Sequence, residues 1–244
     1  MYPFSLSLFI SPPWYFCALQ TATDWSKVPT GTHRIPITIE GQDKNRVIVQ
    51  AVINNISNRD QQTGFVETDG YISIEAEHCA RATETNLIQW KVLPNFGRTL
   101  SGVTPFPVTA KSQSPGAGSP HLEYEVYMLD KQEVKVNAYL SPTLNFHNTE
   151  GLRFAISFDD GPPQIINLHE NKSNKAWEGW VSDNILIKTS THSLQTSGVH
   201  ILKFWMVDPG VVLQKLVIET GDLKPSYLGP PESYHAFSKT SKKK

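Results

Sequence analysis

HILKFWMVDPGVVLQKLVIET, residues His200–Thr220, decides the fold of this chain. It reads as two apolar strands separated by Asp208-Pro209-Gly210. Proline presets φ at the first central position of a tight turn, and glycine accepts the positive φ that a type II turn needs next. Leu202, Phe204 and Met206 alternate with Ile201, Lys203, Trp205 and Val207. Val211 to Ile218 is apolar on both faces apart from Gln214 and Lys215. Strands with apolar bulk on both faces belong in the interior of a sheet, inside a sandwich. The stretch is therefore expected to be the closing hairpin of a β-sandwich and to carry no chemistry.

The rest of the chain fits that expectation. Tyr71 to Glu77 alternates strictly, with Ile72, Ile74 and Ala76 inward and Ser73, Glu75 and Glu77 on the other face. Further strands are expected at Leu87–Val92, Leu122–Leu129, Glu133–Leu140, Leu152–Phe158, Gln164–Leu168 and Ile185–Thr189. No helical period of any length is visible. Seventeen prolines and fifteen glycines suit short strands joined by turns. The predicted class is all-β, an antiparallel sandwich of jelly-roll type. PFPVTAKSQSPGAGSP, residues 105–120, is expected to be a loosely ordered loop.

Upstream, His33–Glu40 and Arg46–Ile53 read as a β-hairpin over Gly41–Asn45, and Asn54–Thr63 as a polar linker. Two strands are too few for an independent fold. The expected division is an atypical segment over 1–23, a strand pair and linker over 24–58, a sandwich module over 64–220 and a tail over 221–244. MYPFSLSLFISPPWYFCALQTAT, residues 1–23, has the apolar character of a signal peptide. It lacks a basic start and an A-x-A cleavage site, and Pro12-Pro13 interrupts the apolar run. It reads either as a signal, which would place the protein outside the cell, or as a short start joined to the middle of a longer coding sequence. The sequons at Asn55 and Asn171 matter only on a secreted chain.

A formal net charge of −1 gives no broad pull toward nucleic acid or anionic membrane. No run approaches the roughly 20 apolar residues of a membrane span. Cys17 and Cys79 are the only cysteines, too few for a zinc site, and both are expected to be free thiols.

Four features bear on chemistry. Glu75 and Glu77 offer two hard carboxylates to calcium, or else form a solvated strand face. Asp159-Asp160-Gly161-Pro162-Pro163 is a turn signal before it is an acidic pair. Trp177 and Trp180 lie in the polar run NKSNKAWEGW and divide between sugar stacking and core packing. Arg98 reads as a carbonyl clamp, an ion-pair partner or a ligand donor. The eight histidines show no metal spacing, and no nucleophile–base set or phosphate loop emerges. The residues alone describe a binding or structural β-module.

Several stretches together are familiar. They are GFVETDGYISIEAEH (Gly64–His78), FGRTLSGVTPFP (Phe96–Pro107), LEYEVYM (Leu122–Met128), YLSPTLNF (Tyr139–Phe146), GLRFAISFDD (Gly151–Asp160) and FWMVDPGVVLQKLVIETGDLKPSYLGPPES (Phe204–Ser233). These resemble the C-terminal domain of glycoside hydrolase family 115, the xylan α-1,2-glucuronidases. Asp24–Asn55 also resembles the strands that lead into that domain. The resemblance implies a β-sandwich accessory domain, similar to carbohydrate-binding modules, with the catalytic centre in upstream domains. It carries over no catalytic residue. It implies contact with glucuronoxylan or support of domain assembly. It also implies a structural calcium held by a Glu-x-Glu on the first strand, matched by Glu75 and Glu77. A carboxylate expected near the last strand is replaced here by Gln214. The alternatives are a hydrolase acting on the glucuronic acid side chains of xylan, and an inactive truncated product.

Overall fold

A computed structural model describes residues 4–9, 18–23, 28–40, 46–55, 62–130 and 132–236. The expected hairpin loop 41–45, most of the linker, Pro12-Pro13, Cys17, Ser57 of the first sequon and the basic end 237–244 lie outside the described residues. The chain divides into two compact units, Met1–Gln61 and Gln62–Lys244.

In the first unit, β1 (Phe4–Phe9) pairs antiparallel with β2 (Ala18–Thr23), and β3 (Gly31–Glu40) with β4 (Arg46–Asn55). Ile35 stands opposite Ala51 and Ile37 opposite Val49, the pairing that the alternation in both strands predicts.

The second unit is a sandwich of two sheets. Its strands are β5 (Gly64–Val66), β6 (Tyr71–Glu75), β7 (Arg81–Thr83), β8 (Gln89–Leu93), β9 (Gly102–Phe106), β10 (His121–Met128) and β11 (Glu133–Leu140). Then come β12 (Arg153–Phe158), β13 (Gln164–Asn167), helix α1 (Asn174–Asp183), β14 (Leu186–Ser193), β15 (Gly198–Met206), β16 (Leu213–Glu219) and β17 (His235–Ala236). One sheet runs β13-β12-β15-β10-β5-β17 with β7 beside β10, and the other β14-β11-β16-β9-β8 with β6 beside β16. Every pair is antiparallel except β5 with β10. Alternate residues point inward: Leu122, Tyr124, Val126 and Met128 from β10 share one core with Val134, Val136, Ala138 and Leu140 from β11. Among the described residues, no helix is long and apolar enough to cross a membrane.

Four expectations are corrected. First, His200–Thr220 is not a hairpin. β15 lies between β12 and β10 in one sheet, while β16 pairs with β11, β6 and β9 in the other. Asp208-Pro209-Gly210 carries the chain across the sandwich, with Gly210 at φ +90°. Apolar residues on both faces reveal an interior strand but not which sheet holds it. Second, residues 107–120 are fastened rather than loose. Gln113 N–H donates to Val207 O at 2.7 Å and Ser112 Oγ to Asp208 Oδ1 at 2.6 Å.

Third, a ten-residue helix, α1, appears where no helical period is visible. Ser173 caps it, its Oγ accepting from Ala176 N–H, and Asn184 ends it in the left-handed region. None of its residues is fully buried, so no apolar stripe marks it. Fourth, residues 221–236, within the expected tail, bond to the sandwich. Ser233 N–H donates to Ser73 O at 2.8 Å, Ser73 N–H to Ser233 Oγ, and Glu75 N–H to the Glu232 carboxylate. This segment satisfies the free edge of β6 and then adds β17 beside β5, so it crosses from one sheet to the other.

Candidate functional site

The loop between β11 and β12, the segment before α1, and α1 itself enclose a cleft of about 330 Å³. Trp177 and Trp180, three residues apart, share one side of the helix. Their rings meet edge to face at 6.3 Å and 80°. Trp180 also packs against the sandwich core and stands 6.2 Å from the His169 ring, which anchors it from behind. Leu144 adds an exposed apolar side chain to the wall.

The polar wall is built by local hydrogen bonds. Asn145 Nδ2 donates to Thr149 O at 2.5 Å, and Thr149 Oγ1 to Gly151 O at 2.9 Å. Gly151 is at φ +149°, and a Cβ there would stand 2.1 Å from Asn167 Oδ1, so only glycine permits this approach. Asn167 then accepts from His169 N–H. His169 Nδ1 accepts from Leu152 N–H at 3.1 Å, and Nε2 donates to Thr143 O at 2.9 Å. That pattern assigns the Nε2–H tautomer and leaves neither ring nitrogen free for acid–base work. Lys172 Nζ and Glu150 Oε2 are 3.4 Å apart at the exposed rim, a pair weak enough to yield to a ligand. Asn171, the second sequon asparagine, also lines the cleft and accepts from Ser173 N–H.

Chemically, the cleft offers indole faces beside amides, two hydroxyls and one ion pair. A pyranose ring presents apolar C–H patches bordered by hydroxyls, and such a wall matches both. Among the described residues of the wall, Glu150 supplies the carboxylate.

Of the residues singled out in the sequence, the structure joins Trp177 with Trp180 in one cleft and separates the others. Arg98 does not line the cleft. Its Nε and Nη2 donate to Asp183 O at 3.0 and 2.5 Å, Nη1 donates to Tyr227 O, and its guanidinium lies 3.9 Å from the Tyr227 ring centre. Three of its five N–H donors are engaged by backbone oxygens, so it clamps the end of α1 to the Tyr227 segment. Asp159 sits at φ +50° in a turn, accepting from Ile201 N–H and bonding His200, as the turn reading expects. Cys79 is a free thiol, pushed up by burial. Sequence reasoning missed Asn145, Glu150, His169 and Lys172. They lie outside the strands and helix, where no periodicity singles out a side chain.

Glu75 and Glu77 are the pair expected to hold calcium. β6 ends at Glu75, and Glu77 falls in the turn beyond, so the two are not successive residues on one strand face. Glu75 Oε1 already binds Lys215 Nζ at 3.1 Å and Thr99 Oγ1 at 2.7 Å. Calcium requires about six to eight oxygens. Among the described residues, no group of three or more acidic, histidine or cysteine side chains converges for a metal. The residues present do not fit the ion.

Residues 64–232 match the family described as Glycosyl hydrolase family 115 C-terminal domain. No curated protein matches the chain. Among solved structures, the chain is similar to a family GH115 4-O-methyl-α-glucuronidase with specificity for decorated arabinogalactans, at 18% identity and a TM-score of 0.49. The likeness covers 64% of this chain and only 18% of that enzyme. A family 35 carbohydrate-binding module from Clostridium thermocellum is similar at 15% identity and a TM-score of 0.42, over 60% of this chain and 97% of that module. A carbohydrate-binding module from Cellvibrio mixtus lichenase 5A, in complex with cellotriose, is similar at 11% identity and a TM-score of 0.38, over 62% of this chain and 97% of the module.

Proposed function

We propose that this chain, which belongs to the glycosyl hydrolase family 115 C-terminal domain family, is a noncatalytic accessory module that holds a plant cell-wall polysaccharide. The observation that carries this reading is the right-angled Trp177/Trp180 pair walling a polar cleft. One indole stacks on a sugar face while the amides of Asn145, Asn171 and Asn174 read its hydroxyls. Glucuronoxylan is the ligand of choice. Lys172 at the rim supplies a cation for a uronic acid branch, at the expense of its weak pair with Glu150. The protein would meet this polymer outside the cell.

Affinity electrophoresis in gels cast with glucuronoxylan or arabinogalactan tests the reading. Retardation by glucuronoxylan, weakened in Trp177→Ala, is the expected result. Mobility unchanged by either polymer rejects binding. Release of 4-O-methylglucuronic acid from glucuronoxylan by the purified chain would overturn the noncatalytic assignment in favour of a hydrolase.

A further inference from the structure

Lys215 is an unusual residue for its position. It sits in the middle of β16 with its side chain only 4% exposed. An ammonium taken out of water is costly unless partners surround it. Here the partners are complete. Nζ reaches Glu75 Oε1 at 3.1 Å, Pro230 O at 3.1 Å and Leu228 O at 3.5 Å, which accounts for its three protons.

These partners come from two elements. Glu75 is the direct cross-strand neighbour of Lys215 on β6. Leu228 and Pro230 belong to the segment that seals the β6 edge. That segment is fixed beside the ammonium by Ser73 Oγ donating to Pro230 O at 3.1 Å and by Glu232 accepting from Glu75 N–H at 2.9 Å. One cation thus joins β16, β6 and the closing segment, as a structural metal ion joins strands through shared oxygens.

We infer that the Lys215 ammonium stands in for a structural calcium ion at this edge, making closure of the sandwich independent of metal. Glu75 Oε2 is buried without a hydrogen-bond partner, but one oxygen falls far short of the about six to eight that calcium needs. A dication bound there would also face the ammonium on the same carboxylate. The 9% exposure of the Glu75 side chain leaves little water to screen that repulsion. The inference concerns the edge opposite in kind to the sugar cleft: it stands or falls without the binding proposal.

Thermal unfolding of the full chain, followed by circular dichroism, tests it. The wild-type midpoint is expected to be the same in excess EDTA and in millimolar calcium. Lys215→Met leaves Glu75 buried and unpaired, and should lower the midpoint by roughly 5–10 °C. Glu75→Gln combined with Lys215→Met removes both charges and should recover at least about half of that loss. If the single variant fails to fold, the double variant should still fold. The inference is overturned if calcium raises the wild-type midpoint by more than about 3 °C, if Lys215→Met melts like the wild type, or if the double variant is no better than the single.

Discussion

Asp208 Oδ2 accepts both the backbone N–H of Arg153 at 2.9 Å and its Nε at 2.7 Å, tying the crossing between the two sheets to the first residue of β12. The other oxygen accepts from Ser112 Oγ at 2.6 Å, so the same carboxylate also holds the long segment ahead of β10. Asp208 is buried, whereas the Arg153 guanidinium is partly in water, so the charge attraction is screened. Most of its value lies in satisfying donors. Asp208→Ala should destabilise the fold by about 2–3 kcal/mol, read as a lower urea midpoint at unchanged slope. A midpoint equal to wild type would deny this residue its role in the crossing.

Acid should act in two stages. Burial pushes His192 down to about 4, and its neutral ring bonds Ser190 Oγ at 2.8 Å. Between its ordinary value of about 6.5 and that lowered value, the unfolded chain binds a proton that the folded chain excludes. Stability therefore falls as pH drops through this window, by up to about 3 kcal/mol. Below it, two carboxyls add their own loss. Hydrogen bonds from Arg81 hold Glu123 below the usual carboxylate range against its burial. Burial raises Asp208, but Arg153 and Ser112 more than offset it and bring it below that range too. Both stabilise at higher pH and cease to do so as they protonate. Urea midpoints measured from neutral pH downward should decline in both windows. His192→Gln should flatten the upper one and leave the lower one in place.

The two indoles should separate binding from stability. Trp177 faces its neighbour and the cleft, while Trp180 is also packed against the core and beside His169. Trp177→Ala should weaken polysaccharide retention by roughly tenfold with under about 1 kcal/mol of destabilisation. Trp180→Ala should lower both, with about 2–3 kcal/mol lost from stability. Equal effects on stability from the two variants would contradict the packing described.

How legible all this was depended on the range of the interaction. β11 occupies Glu133–Leu140 as its alternation predicts, because a strand's two faces are written locally. Whether β15 pairs with β16 or faces it across the core is decided by β10, β12, β6 and β11, none of which is next to it in sequence. Trp177 and Trp180 stood out because bulky indoles are conspicuous in a polar stretch. Their neighbours Asn145, Glu150 and His169 arrive from loops that carry no period. Lys215 read as a polar interruption of an apolar strand, and only its partners across the β6 edge explain why it is buried. LKPSYLGPPES has no alternation either: much of its pairing with β6 runs through serine and glutamate side chains rather than a backbone ladder.

Arg98 provides the remaining discrimination, between a residue that touches ligand and one that shapes the site. Its guanidinium joins Asp183 O, at the end of α1, to Tyr227 O and the Tyr227 ring, while its backbone N–H donates to Gln214 Oε1 at 2.9 Å. The side chain therefore restrains the helix that carries both tryptophans. Arg98→Ala should lower stability by about 1–2 kcal/mol through the lost carbonyl bonds and ring contact. Arg98→Lys should recover little of it, because a single ammonium cannot reproduce the fork across two elements. Well below the melting temperature, polysaccharide retention of Arg98→Ala should fall far less than that of Trp177→Ala. Loss of retention as large as that of Trp177→Ala, with stability unchanged, would instead make Arg98 a direct sugar contact.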